Sequence, residues 1–128
     1  MRLLLDTHAL LWSVLDSPRL SQRARAALAD PDAEIVISPV SIFEITLKHR
    51  LGRLAEAAPF VLHHHRMLAD LAWTPLPVGM DHASLAGSLD IPHKDPFDRL
   101  LIAQAQIERV PIVSNEALFD AFGVDRIW

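Results

Sequence analysis

Short apolar runs alternate with segments of helical period along this chain, and this alternation restricts the fold more than any other feature. The runs are rich in Leu or β-branched residues and lie at 3–5, 34–38, 74–78, 111–114 and 126–128. Strands that are connected through helices pair in parallel, and the helices then cover both faces of the sheet. The sequence therefore predicts a three-layer α/β/α domain with a parallel sheet of about four or five strands, in which residues 3–5 form a central strand.

The length and hydrophobicity of the chain are sufficient for one buried core. It has 128 residues, of which 51% are hydrophobic, and a chain of this kind folds as about one domain. We expect a single domain over residues 1–128. The apolar runs are far shorter than the roughly 20 residues that cross a bilayer, and Asp6 follows the N-terminus too soon for a signal peptide. We therefore expect a soluble, cytoplasmic protein that does not bind membranes.

Two features of the composition limit the chemistry. The chain has no cysteine, so a metal ion could be bound only through oxygen or imidazole ligands, which favours hard cations. The formal net charge of −4 argues against a protein that coats nucleic acid through clustered Lys and Arg. A nuclease is compatible with this charge, because carboxylates that bind a metal ion are negative themselves and the metal ion attracts phosphate.

Four acidic residues stand where an apolar run gives way to a helix start or a turn: Asp6, Glu44, Asp98 and Glu116. Ligands of parallel sheets collect outside the carboxyl ends of the strands, so we expect these acids to converge at one edge. Carboxylates at close range raise one another's pKa values, and Mg²⁺ or Mn²⁺ relieves that repulsion through octahedral oxygen coordination. The pattern predicts a divalent-metal site that activates water for attack on a phosphate.

The first two acids also have simpler structural explanations. Asp6 could cap the helix that starts after it, unless Thr7 caps that helix and leaves Asp6 free. Glu44 falls on the apolar stripe of a helix that begins at Pro39, where a carboxylate is costly unless it is paired or binds a cation. The alternative for Glu44 is a salt bridge with a nearby Arg.

The other two acids lie near helix starts. Asp98 is the third residue of a helix with Asp95 as its N-cap and Pro96 at its first position, so it could stabilise that helix start and still face inward. Glu116 could be an acid in the first turn of a short helix.

The neutral residues before Glu116 extend this corner of the site. Ser114 and Asn115 could bind a metal ion through neutral oxygens or hold a metal-bound water.

The sequence around these acids resembles that of the PIN-domain ribonucleases, and among them the VapC-type toxins of bacterial toxin–antitoxin pairs. The resemblance runs nearly end to end. The segments that carry it are LLDTHALLW at 4–12, SPVSIFEI at 38–45, HKDPFDRLLIAQA at 93–105 and VSNE at 113–116. It implies a PIN-like (Rossmann-like) fold and an endoribonuclease that depends on Mg²⁺ or Mn²⁺.

The resemblance also assigns roles. It implies that Asp6, Glu44 and Asp98 are the first three acids of the family site, and that the hydroxyls of Thr7 and Ser114 support them. Glu116 stands where many members have Asp, and its longer side chain leaves open direct ligation or a role through water. Family members form homodimers, and each pairs with a small antitoxin whose C-terminal segment occupies the active-site groove.

These assignments give a mechanism. Asp6 and Asp98 would hold the main metal ion, Glu44 would ligate it or orient the attacking water, and Glu116 would complete the outer ring. Because water is the nucleophile, the products carry 5′-phosphate and 3′-hydroxyl ends. The predicted RNA-binding residues are the basic groups beside these acids, Lys94, Arg99 and Lys48.

The remaining aromatic and histidine residues have simpler expectations. Unpaired RNA is favoured as substrate because its bases are accessible, but Trp12, Phe43 and Trp73 are expected in the core or at a dimer contact rather than as base platforms. The run His63–His65 is expected on the solvated surface of a helix, because consecutive helical residues point in different directions.

Three other functions are compatible with an α/β domain that carries acids at the ends of its strands. A receiver-like signalling module needs a phosphorylatable Asp after its middle strand, whereas the run 74–78 ends at Gly79. A haloacid-dehalogenase-like phosphatase needs Asp-x-Asp after its first strand, whereas Asp6 is followed by Thr7 and His8. The main alternative is a PIN-like protein that binds RNA or an antitoxin without cleaving RNA.

Overall fold

A five-stranded parallel sheet forms the centre of the computed structural model, which describes residues 1–128. The strands are β1 (Arg2–Leu5), β2 (Glu34–Ile37), β3 (Thr74–Pro75), β4 (Ile112–Val113) and β5 (Arg126–Ile127). Their order across the sheet is β3-β2-β1-β4-β5, and every neighbouring pair is parallel. The predicted fold class and the central position of the first strand are confirmed.

Six α-helices and two short 3₁₀ helices surround the sheet. The α-helices are α1 (Thr7–Val14), α2 (Gln22–Ala29), α3 (Pro39–Arg50), α4 (Ala58–Asp70), α5 (Met80–Ser88) and α6 (Pro96–Glu108), and the 3₁₀ helices are Ala55–Ala57 and Ala117–Phe122. None of these helices is both long and apolar enough to span a membrane.

Three strands, β3, β4 and β5, are shorter than predicted. The runs at 74–78, 111–114 and 126–128 each contribute only two strand residues. Near β3 the proline residues 75 and 77 have no amide hydrogen, and the amide of Leu76 still donates to the carbonyl of Ile37 at 2.8 Å. The chain therefore follows β2 briefly and then leaves the sheet.

Side chains of β1 alternate between two separate apolar cores, one on each face of the sheet. Leu3 and Leu5 pack in the core that contains Phe60 of α4. Leu4 packs in the other core with Leu101 of α6. Burial on both faces is what a central strand of a parallel sheet requires, and it explains the unbroken Leu run.

One expectation about the surface histidines is wrong in part. Helix α4 is kinked at His63, where φ is −131° and ψ is 19°. As a result His64 turns inward, and its Nδ1 is buried without a hydrogen-bond partner, while its neighbours on both sides are exposed. Trp12 and Trp73 pack against the core, as expected; Phe43 is 60% exposed, and its expected place at a dimer contact stays a prediction.

Candidate active site at the carboxyl edge of the sheet

Asp6 directly follows β1 and is only 4% exposed. Its Oδ1 accepts a hydrogen bond of 2.8 Å from the amide of Ala9, which makes Asp6 the N-cap of α1. Its Oδ2 accepts a hydrogen bond from the hydroxyl of Ser114. The alternative in which Thr7 caps this helix is therefore wrong, and one carboxylate both starts α1 and contacts the residue after β4.

The environment of Asp6 disfavours its negative charge. The pKa of Asp6 is raised from 3.8 to about 6: burial is the largest cause and the charge of Asp98 adds to it, whereas the hydrogen bonds from Ser114 and Ala9 and the charge of His8 act in the opposite direction. A buried carboxylate with a raised pKa is stabilised by a nearby cation. Asp6 is thus a favourable position for a metal ligand.

Glu44 reaches the same edge from α3. This helix begins at Pro39 with Ser38 as its N-cap. Glu44 is only 5% exposed; its Oε1 accepts a hydrogen bond of 2.7 Å from the hydroxyl of Thr7, and its Oε2 forms an ion pair with Lys48, one helical turn further on. The cationic partner is therefore a Lys rather than an Arg.

Asp98 enters the site from the first turn of α6. Asp95 is the N-cap of this helix, as predicted, because its Oδ1 accepts hydrogen bonds from the amides of Phe97 and Asp98 at 2.9 and 3.2 Å. The side chain of Asp98 is thereby free to turn back, and its Oδ2 lies 2.7 Å from Nε2 of His93.

Neighbouring carboxylates act electrostatically on Asp98 and on Asp6. Burial is the largest cause that raises the pKa of Asp98, and the charges of Asp95 and Glu44 raise it further, while His93 lowers it. The charge of Asp98 in turn acts on Asp6. The end of β1, α3 and the start of α6 therefore bring Asp6, Glu44 and Asp98 to one edge of the sheet.

These acids do not form a preassembled metal site. No group of three or more His, Asp or Glu side chains is placed to hold a metal ion. Each acid has a partner of its own: Glu44 contacts Lys48, Asp98 contacts His93 and Asp6 contacts Ser114. The donor set nevertheless fits a hard divalent cation. All its ligands are oxygens, and burial disfavours the charges of Asp6 and Asp98 in the absence of a cation.

The residues after β4 complete this edge. The hydroxyl of Ser114 is fully buried and accepts a hydrogen bond of 2.9 Å from the amide of Glu116. Glu116 occupies the N-cap position of the last 3₁₀ helix, but its side chain makes no capping hydrogen bond. Asn115 is exposed. The predicted metal roles of Ser114, Asn115 and Glu116 stay predictions.

Arg99 is held by the main chain that precedes α6. Its guanidinium donates hydrogen bonds to carbonyls at the end of α5 and in the loop that follows. The acceptors are Ala86 at 2.9 Å, Gly87 at 3.5 Å, Leu89 at 2.7 Å, Ile91 at 3.4 Å and His93 at 2.9 Å. This geometry favours a structural role for Arg99, and its predicted contact with RNA stays a prediction.

His93 is absent from the predicted site residues, although its ring contacts Asp98. Two contacts fix the position of His93. Its main-chain carbonyl accepts a hydrogen bond from Arg99, and Nε2 of its ring lies 2.7 Å from Oδ2 of Asp98. The sequence gives one indication of these contacts, because His93 lies in the same short segment as Asp98 and Arg99. The contacts themselves form only because the chain folds back before α6. Of the three basic residues predicted to bind RNA, Lys94 is exposed and Lys48 is paired with Glu44.

Replacement of Arg99 by Met should lower the free energy of unfolding by about 2 kcal/mol, because it removes hydrogen bonds from a charged donor to several carbonyls. Urea denaturation measures this change. Arg53→Met is the matched control, since Arg53 is exposed and makes no side-chain hydrogen bond, and it should leave stability within about 0.5 kcal/mol. Equal effects of the two substitutions would refute the structural role of Arg99.

Comparison with known proteins identifies a family and a fold. The family model described as PIN domain matches residues 3–124. No curated protein sequence matches the chain significantly.

Several solved structures share the fold at low sequence identity. VapBC2 from Rickettsia felis, bound to a DNA fragment from its promoter, has 13% identity, a TM-score of 0.71 and 100% coverage of both chains. VapC20 from Mycobacterium tuberculosis, a toxin that cleaves the sarcin–ricin loop, has 16% identity, a TM-score of 0.69 and 95% coverage of both chains. A toxin–antitoxin complex from Klebsiella pneumoniae has 17% identity, a TM-score of 0.65 and coverage of 98% of this chain and 95% of the other.

Proposed function

The chain belongs to the PIN-domain family, whose model matches residues 3–124, and we propose that it is a metal-dependent endoribonuclease that acts as a bacterial toxin. The observation that supports this proposal is the electrostatic link between three acids at the carboxyl edge: the charge of Asp98 acts on Asp6, and the charge of Glu44 acts on Asp98. Burial raises the pKa values of two of these acids, as expected for groups that bind a cation.

Each acid has a distinct role in the proposed reaction. Asp6 and Asp98 would hold Mg²⁺ or Mn²⁺, and such an ion activates water and neutralises the charge that develops on the phosphate. Glu44, whose Oε1 is fixed by the hydroxyl of Thr7, would ligate the ion or orient the attacking water. Glu116 would complete the outer ring, directly or through water.

No protein side chain acts as nucleophile in this scheme, and this determines the chemical ends of the RNA products. Water attacks the phosphodiester in line, so the products carry 5′-phosphate and 3′-hydroxyl ends. The 2′-hydroxyl of the RNA takes no part as nucleophile, and a 2′,3′-cyclic phosphate product would be incompatible with the scheme.

A protein antitoxin is the proposed partner. The structures from Rickettsia felis and Klebsiella pneumoniae are both toxin–antitoxin assemblies, and their shared fold supports the same kind of partner here. We also propose a homodimer and a cytoplasmic location, in line with the family. Light scattering of the purified protein tests the dimer, and a monomer at micromolar concentration would contradict it.

The decisive experiment is cleavage of total RNA by the purified protein without its partner, with Mg²⁺, with Mn²⁺ and with EDTA. Metal-dependent cleavage with 5′-phosphate ends is the expected result. If total RNA and candidate transfer and ribosomal RNAs all stay intact with either metal ion, the alternative of RNA or antitoxin binding without cleavage replaces the ribonuclease.

A further inference from the structure

Helices α3 and α6 pack against each other near the candidate site. Glu44 and Asp98 interact through their charges, and the residues immediately before them, Phe43 and Phe97, form an aromatic pair. The ring centroids of this pair are 5.6 Å apart with an interplanar angle of 66°, an edge-to-face arrangement. The aromatic pair therefore lies at the junction of α3 and α6, the two helices that carry Glu44 and Asp98.

Phe43 is exposed in a way that other phenylalanines of this chain are not. Its exposure is 60%, whereas Phe60 and Phe119 are fully buried and Phe97 is half-buried. A large apolar ring in water gains free energy when it is covered. Contact with Phe97 holds the Phe43 ring from one side and leaves its remaining surface available to a ligand.

Two of the three cations predicted to bind RNA at this edge are already engaged, and only Lys94 is exposed. Lys48 is paired with Glu44, Arg99 is engaged by main-chain carbonyls, and the acids themselves repel phosphate. The formal net charge is −4. Stacking of bases on aromatic rings contributes to single-strand binding without any positive charge on the protein.

We propose that Phe43, supported edge-on by Phe97, is the platform on which a base of unpaired RNA stacks beside the phosphate to be cut. This inference rests on the proposed ribonuclease function. A phosphate held by the proposed metal ion would carry its base only one sugar away, and Phe43 is the exposed ring at the junction of the two helices that carry Glu44 and Asp98.

The chemistry of the platform determines what it recognises. Every base has a π-face, so stacking tolerates different sequences. A base in a duplex is already stacked between neighbours, whereas a base in a loop or single strand is free to move onto the ring. The platform therefore selects unpaired RNA without reading a particular base.

The test measures binding of a fluorescent, unstructured RNA strand by anisotropy, in the Asp6→Asn background so that the strand stays intact. Phe43→Leu keeps an apolar side chain and removes the ring, and it should weaken binding about 5- to 100-fold. Phe43→Trp should restore it. Leu51→Ala is the matched control, because Leu51 is 48% exposed at the other end of α3, and it should change binding less than twofold.

A strand that carries abasic riboses separates stacking from other contacts. Phe43→Leu should not weaken binding of the abasic strand, because that strand has no bases to lose. The platform would be overturned if Phe43→Leu bound the base-bearing strand as tightly as the protein with Phe43 does. It would also be overturned if Phe43→Leu bound the base-bearing and the abasic strands more weakly by the same factor. Light scattering provides a further check. If Phe43→Leu has a different molar mass in solution from the unsubstituted protein, Phe43 is a contact between copies of the chain and the platform is overturned.

Cleavage by the unsubstituted protein distinguishes this inference from the function it rests on. If that protein cuts RNA while Phe43→Leu binds RNA normally, only the platform fails. If that protein neither cuts nor binds any RNA, the ribonuclease proposal fails and the platform fails with it.

Discussion

Asp98→Asn is expected to reduce metal-dependent RNA cleavage by at least on the order of a thousandfold, which corresponds to about 4 kcal/mol of transition-state stabilisation. The amide retains the size of the side chain but provides a weaker ligand without charge. Asp98 takes part in α6 through its main-chain amide, which donates to Asp95, so the fold should be unaffected. Single-turnover cleavage of a mapped substrate measures the loss.

Asp95→Asn is the matched control for this prediction. Asn caps helices as well as Asp does, so the hydrogen bonds to Phe97 and Asp98 persist. The substitution removes a charge that raises the pKa of Asp98 without removing a proposed ligand, and cleavage should stay within a few-fold. If Asp95→Asn abolished cleavage to the same extent, the loss would reflect the electrostatics of the helix start and not metal ligation.

Asp6→Asn should stabilise the metal-free protein at pH 8 by about 1 to 3 kcal/mol. The pKa of Asp6 is raised from 3.8 to about 6 by burial, so the folded state binds a proton more tightly than the unfolded state. The cost of ionising Asp6 therefore appears as the pH rises above about 4 and is complete above about 6. Asn avoids this cost and still caps α1.

Urea denaturation in EDTA at pH 8 and at pH 4 measures this effect. The stabilisation by Asp6→Asn should be present at pH 8 and nearly absent at pH 4. Mg²⁺ should then stabilise the unsubstituted protein at pH 8 more than the Asn variant. A destabilised variant at pH 8, or an equal difference at both pH values, would contradict the raised pKa.

Asp120→Asn provides a control of opposite sign. The guanidinium of Arg126 donates to both oxygens of Asp120 at 2.9 and 3.0 Å and lowers its pKa. Stability from this pair is present above the unfolded pKa of Asp120 and is lost as the pH falls through the folded value. The Asn variant should therefore be slightly less stable than the unsubstituted protein at pH 8, and the difference should shrink toward acid pH.

Local patterns predicted the helix starts and the order of elements. Ser38 and Asp95 each precede a proline and each cap a helix, because a cap acts on amides two or three residues away. The Leu run of β1 indicated a strand buried on both faces, and the sheet places it at the centre. The ends of the outer strands were not predictable, since the length of a strand depends on its neighbour in the sheet.

The partners of the acids depend on contacts between segments distant in the sequence. Ser114 donates to Asp6 because β4 lies beside β1, and Thr7 donates to Glu44 because α1 packs on α3. No local pattern indicates such pairs. Lys48 is closer in sequence, one helical turn from Glu44, but its half-buried position follows from the packing of α3.

The sequence by itself determined the α/β architecture, the helix caps and the acids that stand after strands or at helix starts, because strand period, helix period and capping act over a few residues. Only the tertiary structure decided which groups partner those acids, that Arg99 ties down the loop before α6, and that Phe43 faces solvent. Burial and long-range hydrogen bonds arise when separate elements pack together, and they also set the pKa values of Asp6 and Asp98.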